Sequence, residues 1–203
     1  MTNVRPQDGR AGDANWSRRG YLRLLVTVVI LLISCHDVVA QGRKSTEYDV
    51  KAAYLYNFGK FIRWPASLLP ASHDTFAICV LGKNPFGEAL DRTVKGESIE
   101  GKRLEVRYLG GVSEMGGCRI VFLSNSEERR VDAVLAEVGK RPILTVSDIP
   151  DFVDRGGDIE FVEVGDKIRF KVNLGAAEKA GLSLSSELLK VAVAVKRNGQ
   201  SGD

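Results

Sequence analysis

The chain has 203 residues, 44% of them hydrophobic, and a formal net charge of +3. That is enough for one well-packed domain and little more. Residues 1–40 hold five of the basic and three of the acidic side chains, which leaves 24 basic and 23 acidic residues, a net of +1, after Ala40. A near-neutral remainder with no basic stripe and no acidic tail excludes a nucleic-acid-binding protein of the electrostatic kind.

The first 15 residues are polar and patternless, as expected of a disordered start. Arg18, Arg19 and Arg23 then lead an apolar run from Leu24 to Ile33, and "VVA" ends at Ala40. This is the layout of a secretory signal with a small-residue cleavage site, so residues 1–40 are read as a signal peptide. The run is about half the ~20 residues that a membrane-spanning helix needs. A retained anchor is the alternative. "SRRGYLR" resembles a twin-arginine signal, and "LISC" resembles a lipoprotein cleavage box that would lipidate Cys35. Each reading carries the rest of the chain, residues 41–196, across the inner membrane into the periplasm as one domain. Residues 197–203 form a frayed tail.

The first predicted element is a helix capped by Thr46, with Asp49 in a weak capping-box position. Tyr54, Phe58, Phe61 and Ile62 recur at helical spacing beside Leu55, while Lys51, Lys60 and Arg63 fall on the other side. Pro65 ends it, since its ring disfavours helical geometry at Trp64. Trp64 and Tyr56 lie off the main stripe, which makes them candidates for an exposed contact.

A buried strand follows at 75–82, then a helix over 83–94 with Pro85 in its first turn. Strands are predicted near 103–109, at 118–124 and at 142–148. Between them lie a loop or short irregular helix at 110–117 and an amphipathic helix over 126–141, with Val131, Val134, Leu135 and Val138 as its stripe. A short helix is expected over 149–156. Alternation of this kind predicts an α/β fold with a mostly parallel central sheet flanked by helices in three layers.

The next piece differs. "DIEFVEV" and "KIRFKVN" flank Gly165-Asp166, a two-residue turn with glycine first, as in a type II′ hairpin. In that register Phe161 faces Phe170, Ile159 faces Val172 and Glu160 faces Lys171. One side is apolar; the other carries Glu160, Lys167, Arg169 and Lys171. Two helical stretches, 173–182 and 183–195, separated at Gly181, close the domain.

No catalytic set is legible. His36 lies in the leader and His73 in a loop; no GxSxG elbow, HExxH or Walker loop is present. Histidine and cysteine are too few for a metal centre of that type. A hydrolase would have to rest on His73, and the carboxylates read as solvated surface charge. After cleavage two cysteines remain, Cys79 and Cys118. In an oxidising compartment they can bond, closing a loop of about 40 residues worth about 4 kcal/mol, or stay as buried thiols.

Parallel sheets place ligands at the carboxyl ends of their strands. There Gly82, Lys83, Asn84, Ser124, Asn125, Ser126, Ser147 and Asp148 form a candidate crevice for a small molecule, the alternative being that they cap the following helices.

The chain resembles the YfiR-like family of bacterial periplasmic regulators. The likeness runs over residues 47–195 and rests on "VKAAYLYNFGKFIRWP", "FAICVLGKNPFGEAL", "CRIVFLS", "PILTVSD" and "GGDIEFVEVGDKIRFKVNLGAAEKAGLSLSSELLKVA", in that order. The resemblance implies a dimeric α/β domain with no enzymatic activity and no cofactor. It also implies a partner: the periplasmic sensory domain of an inner-membrane diguanylate cyclase, held inactive so that cyclic di-GMP and biofilm formation stay low. An OmpA-like outer-membrane lipoprotein would draw the regulator away. Cys79 and Cys118 stand where the family places a cysteine pair; a second family pair is absent, with Ser147 and Asp154 in its region. Trp64, Phe161 and Arg169 are the candidate partner contacts.

Overall fold

Five parallel strands carry the middle of an eight-stranded sheet. The structure is a computed structural model, and it describes residues 47–65, 75–139 and 141–197. The expected Thr46 cap, the leader with Cys35, and His73 lie outside the described residues, as do 198–203. In chain order the elements are α1 (residues 47–61), β1 (Ile62–Arg63), β2 (Thr75–Leu81), α2 (Ala89–Val94), β3 (Ser98–Ile99), β4 (Lys102–Leu109), β5 (Cys118–Leu123), α3 (Val131–Val138), β6 (Leu144–Ser147), β7 (Ile159–Val164), β8 (Lys167–Asn173), α4 (Leu174–Lys179), β9 (Ser183–Leu184), α5 (Ser186–Val191) and β10 (Ala194–Lys196). Short 3-10 turns lie at Val112–Glu114 and Asn125–Arg130.

The sheet order is β10-β8-β7-β6-β5-β2-β4-β3, with β7, β6, β5, β2 and β4 parallel to their neighbours in the series. The chain steps outward from β2 to β4, then returns to the other side of β2 to lay down β5 and β6. Right-handed crossovers in opposite directions put their helices on opposite faces. Accordingly α2 packs in one apolar cluster with α1, α4 and α5, and α3 packs in the other with Cys79, Cys118, Val121 and Phe152. This is the three-layer α/β fold. No helix among the described residues is long and apolar enough to cross a membrane.

The hairpin has the expected register: Ile159 pairs with Val172, Glu160 with Lys171 and Phe161 with Phe170. Gly165 has φ +61°, as the first position of a type II′ turn requires. Other elements depart from expectation. Residues 83–88 form turns, and the second helix begins only at Ala89. Asn84 Oδ1 accepts from Phe86 N–H at 2.8 Å and Asn84 Nδ2 donates to the Gly87 carbonyl at 2.9 Å, so the asparagine stabilises a turn that competes with a helical start. Residues 149–156 are turns rather than a helix. The last predicted helix stops at Val191, and "AVK" becomes β10, parallel to the end of β8. The third helix divides into the 3-10 turn and α3.

The base of the β7–β8 hairpin is also covered on both sides. Glu160, expected on a polar face, is 3% exposed: residues 149–157 fold over it, Val153 N–H donates to its Oε2 at 3.1 Å, and Lys171 Nζ lies 3.0 Å from its Oε1. Beside it Asp158 accepts from the backbone N–H and the hydroxyl of Thr145, at 2.8 and 2.7 Å. Burial pushes the Asp158 carboxyl up to about 6, against the pull of those two hydrogen bonds. The folded state therefore holds this proton more tightly than the unfolded chain does. The stability the protonated form provides is complete below pH 4 and is lost as pH rises through 6. In urea melts, Asp158→Asn is expected to remove a fall of roughly 2–3 kcal/mol between pH 4 and pH 7. Parallel pH profiles of the two proteins would refute this.

Candidate functional site

The carboxyl ends of the parallel strands lie under the first turn of α1. Tyr48, Ala52, Leu55 and Phe58 of α1, continued by Ile62 of β1, form a buried stripe at spacings of four, three, three and four residues. Phe61, expected in that stripe, is 41% exposed, and Tyr54 is half-buried. Lys51, expected on the solvent side, is 3% exposed, because it falls between Tyr48 and Leu55 on the buried stripe.

A buried lysine needs a partner, since an isolated ammonium in an apolar setting costs several kcal/mol. Lys51 Nζ lies 2.6 Å from Asp148 Oδ2, at the end of β6, and pairs with Glu47 one turn earlier in α1. Tyr48 OH donates to the same Asp148 oxygen at 2.7 Å. The Lys51 ammonium also sits 4.4 Å from the centre of the Tyr48 ring, and the Phe161 ring lies beyond at 6.0 Å. Burial, reinforced by the Asp148 carboxylate, pushes the Tyr48 phenol far above its ordinary value, so it stays a donor. Asp148 Oδ1 is enclosed with no hydrogen-bond partner; among the described residues Trp64 Nε1 is the other such atom.

The strand order reverses between β2 and β5, which makes their carboxyl ends the switch point where ligands enter such sheets. The structure does bring Gly82, Lys83, Ser124 and Ser126 together there. Lys83 N–H donates to Ser126 Oγ at 2.9 Å, Ser124 N–H to the Leu81 carbonyl at 3.0 Å, and Ser126 N–H to Ser124 Oγ at 3.5 Å. Gly82 has φ +89°, and a Cβ there would collide with Ser126 Oγ, so only glycine lets the two strand ends close this tightly. Asn84 turns away into its own loop, and Asn125 is exposed. Ser147 is fully buried: its hydroxyl donates to the Leu123 carbonyl and accepts from Ile149 N–H, at 2.7 and 3.0 Å. Asp148 is held by Lys51 and Tyr48. These polar groups largely satisfy one another, and the apolar floor of the crevice is filled by α1: Phe86 packs edge-on against Tyr48 at 5.2 Å and Phe122 at 4.9 Å.

Two expected partner contacts are corrected. Trp64 is 9% exposed and packs edge-on against Phe76, 5.1 Å between ring centres. Phe161 is 4% exposed, with the rings of Tyr54, Phe58 and Phe122 within 6.5 Å. Phe161 is enclosed because α1 lies along the apolar side of the hairpin, so the aromatics of the two elements form one core, whereas Trp64, just after β1, is taken into the core against Phe76 of β2. Arg169 is half-buried and folds back, its Nη1 donating to the Ile168 carbonyl at 3.3 Å.

Cys79 and Cys118 are bonded, joining neighbouring strands β2 and β5 across a Cα–Cα distance of 6.0 Å. Sequence reasoning missed Lys51. The signal was present: a lone cation at i+3 from Tyr48 and i−4 from Leu55 inside an apolar stripe.

The family model described as YfiR/HmsC-like matches residues 48–193. No curated protein matches the chain. Two solved structures show a limited likeness. One is the ABC domain in complex with L-Trp from Streptococcus pneumonia, with a TM-score of 0.45 and 11% identity, covering 59% of this chain and 55% of that one. The other is a conserved domain protein from Vibrio cholerae O1 biovar eltor, with a TM-score of 0.44 and 13% identity, covering 64% of this chain and 56% of that one. The chain thus spans little more than half the length of either.

Proposed function

The chain belongs to the YfiR/HmsC-like family of periplasmic regulators, and from that membership we propose that it represses an inner-membrane diguanylate cyclase by binding the cyclase's periplasmic sensory domain. The observation that carries this reading is the extent of the match: residues 48–193 take in nearly every described element. The signal-like leader and the lack of a legible catalytic set support it. A homodimer and an OmpA-like outer-membrane lipoprotein that competes for the regulator belong to the same proposal.

Such a protein acts without making or breaking bonds. It binds the inactive conformation of the receptor better than the active one, and the receptor equilibrium shifts only by that difference. Each 1.4 kcal/mol of preference represses about tenfold. A competitor for the same surface removes the restraint by mass action. With Trp64 and Phe161 inside, the contact falls to exposed apolar side chains such as Phe61, Val191 and Val193.

The test pairs affinity capture from solubilised membranes with a nucleotide measurement. The mature protein is expected to retain a membrane protein carrying a cyclase domain, and a deletion strain is expected to show at least a threefold rise in cyclic di-GMP that the wild-type gene reverses. Unchanged nucleotide levels together with no captured cyclase would sink the proposal.

A further inference from the structure

The amino ends of the parallel strands gather at the edge of the sheet opposite the first turn of α1. There β5 is irregular: Ala77 of β2 pairs with Cys118, the next residue Ile78 pairs with Ile120, and Arg119 is left unopposed. An extra residue of this kind bends its strand and re-aims its side chain, and such bulges concentrate beside functional sites.

Five charged residues are buried as whole residues among those described: Lys51, Arg119, Glu127, Asp158 and Glu160. Four have close partners. Lys51 meets Asp148, Glu127 meets Arg130, Asp158 meets Thr145 and Glu160 meets Lys171. The side chain of Arg119, a residue 8% exposed, makes no hydrogen bond and no ion pair with any described residue. The little surface it keeps is the route by which a solute could reach it. Burial lowers the guanidinium's proton affinity, and the field of Glu100, at the β3–β4 turn, offsets part of that effect without a contact. Arginine holds its proton through such a shift, so the charge persists where little solvent reaches it.

We propose that Arg119 anchors a small-anion site at the amino end of the sheet, binding a carboxylate or phosphate group through the paired N–H donors of its guanidinium. The planar fork matches an oxyanion with two parallel hydrogen bonds, which a point charge does not. With 8% of the residue exposed, a free small solute reaches it more readily than an acidic side chain of a protein partner. The field of Glu100 disfavours the more highly charged anions, so acetate and phosphate rank above citrate. The site stands at the far end of the sheet from the crevice that α1 fills, and it does not depend on the cyclase reading.

The experiment compares melting temperatures of the mature protein in sodium phosphate, sodium acetate, sodium citrate and sodium chloride at one ionic strength. Phosphate or acetate at about ten times its dissociation constant is expected to raise the melting temperature by about 3–6 °C over chloride. Arg119→Gln abolishes the rise and Arg119→Lys keeps a smaller part of it. In the wild-type protein the side-chain Nε–Hε resonance of Arg119 moves saturably as phosphate or acetate is added, a readout that does not require any variant to fold. Melting curves that follow ionic strength alone, a rise undiminished in Arg119→Gln, or an Nε–Hε resonance that stays in place would each overturn the site.

Discussion

Lys51→Met is expected to destabilise the domain by about 3–5 kcal/mol, enough to remove much of the stability of an ordinary domain. The loss comes from what stays behind. Asp148 has a side chain 8% exposed, its Oδ1 already lacks a donor, and Lys51 is the cation that offsets its charge. Methionine fills the volume of the lysine stem but leaves that carboxylate uncompensated in the interior. Asp148→Leu strands the ammonium in turn, with Glu47, one-third exposed, as its remaining partner. The pair itself contributes far less than either single loss suggests, because desolvating two charges cancels most of their attraction. The double variant Lys51→Met/Asp148→Leu is therefore expected to recover most of the stability lost in Lys51→Met. Chemical denaturation of the four proteins of this cycle measures the coupling directly. Additive losses in the double variant would show that the two residues act separately and would remove the buried ion pair from the account of how α1 is held.

The second large effect concerns the covalent link between β2 and β5. The Cys79–Cys118 bond spans a sequence separation of 39 residues. Cross-linking a loop of that size restricts the unfolded chain by about 4 kcal/mol on the chain-entropy model. The double variant Cys79→Ala/Cys118→Ala should be less stable by about that amount, with a melting temperature roughly 8–16 °C lower. Both cysteines are buried in the cluster under α3, so native-state reduction is slow, and reductant acts chiefly on molecules that open. A reductant should accordingly lower the wild-type midpoint toward that of the variant and leave the variant unmoved. Equal midpoints for the two proteins under oxidising conditions would show that the bond contributes nothing to stability.

These two features differ in how far the sequence announced them. The cysteine pair was visible as two residues in two predicted strands, and the family likeness paired them. Lys51 looked like one more surface charge. Its partner lies 97 residues further along, at the end of a strand that only the fold brings beneath α1. The expected crevice fared in a similar way. Gly82, Lys83, Ser124 and Ser126 do meet at the switch point, but they bond to one another.

The sequence by itself determined what short-range chemistry controls. Apolar runs became the parallel strands, and period-two alternation around Gly165-Asp166 set the hairpin register residue for residue. The spaced motifs identified the family. Only the tertiary structure decided the rest: that α1 covers the hairpin and turns Phe161 into core, that Phe76 of β2 takes Trp64 in, that residues 149–157 bury Glu160, that "AVK" adds a sheet edge, and that Arg119 is the unopposed residue of a bulge. The physical reason is range. Propensity, capping and periodicity act over a few residues. Burial of a charge or an aromatic ring depends on which distant element lies across it, and that is settled only when the helices take their faces of the sheet.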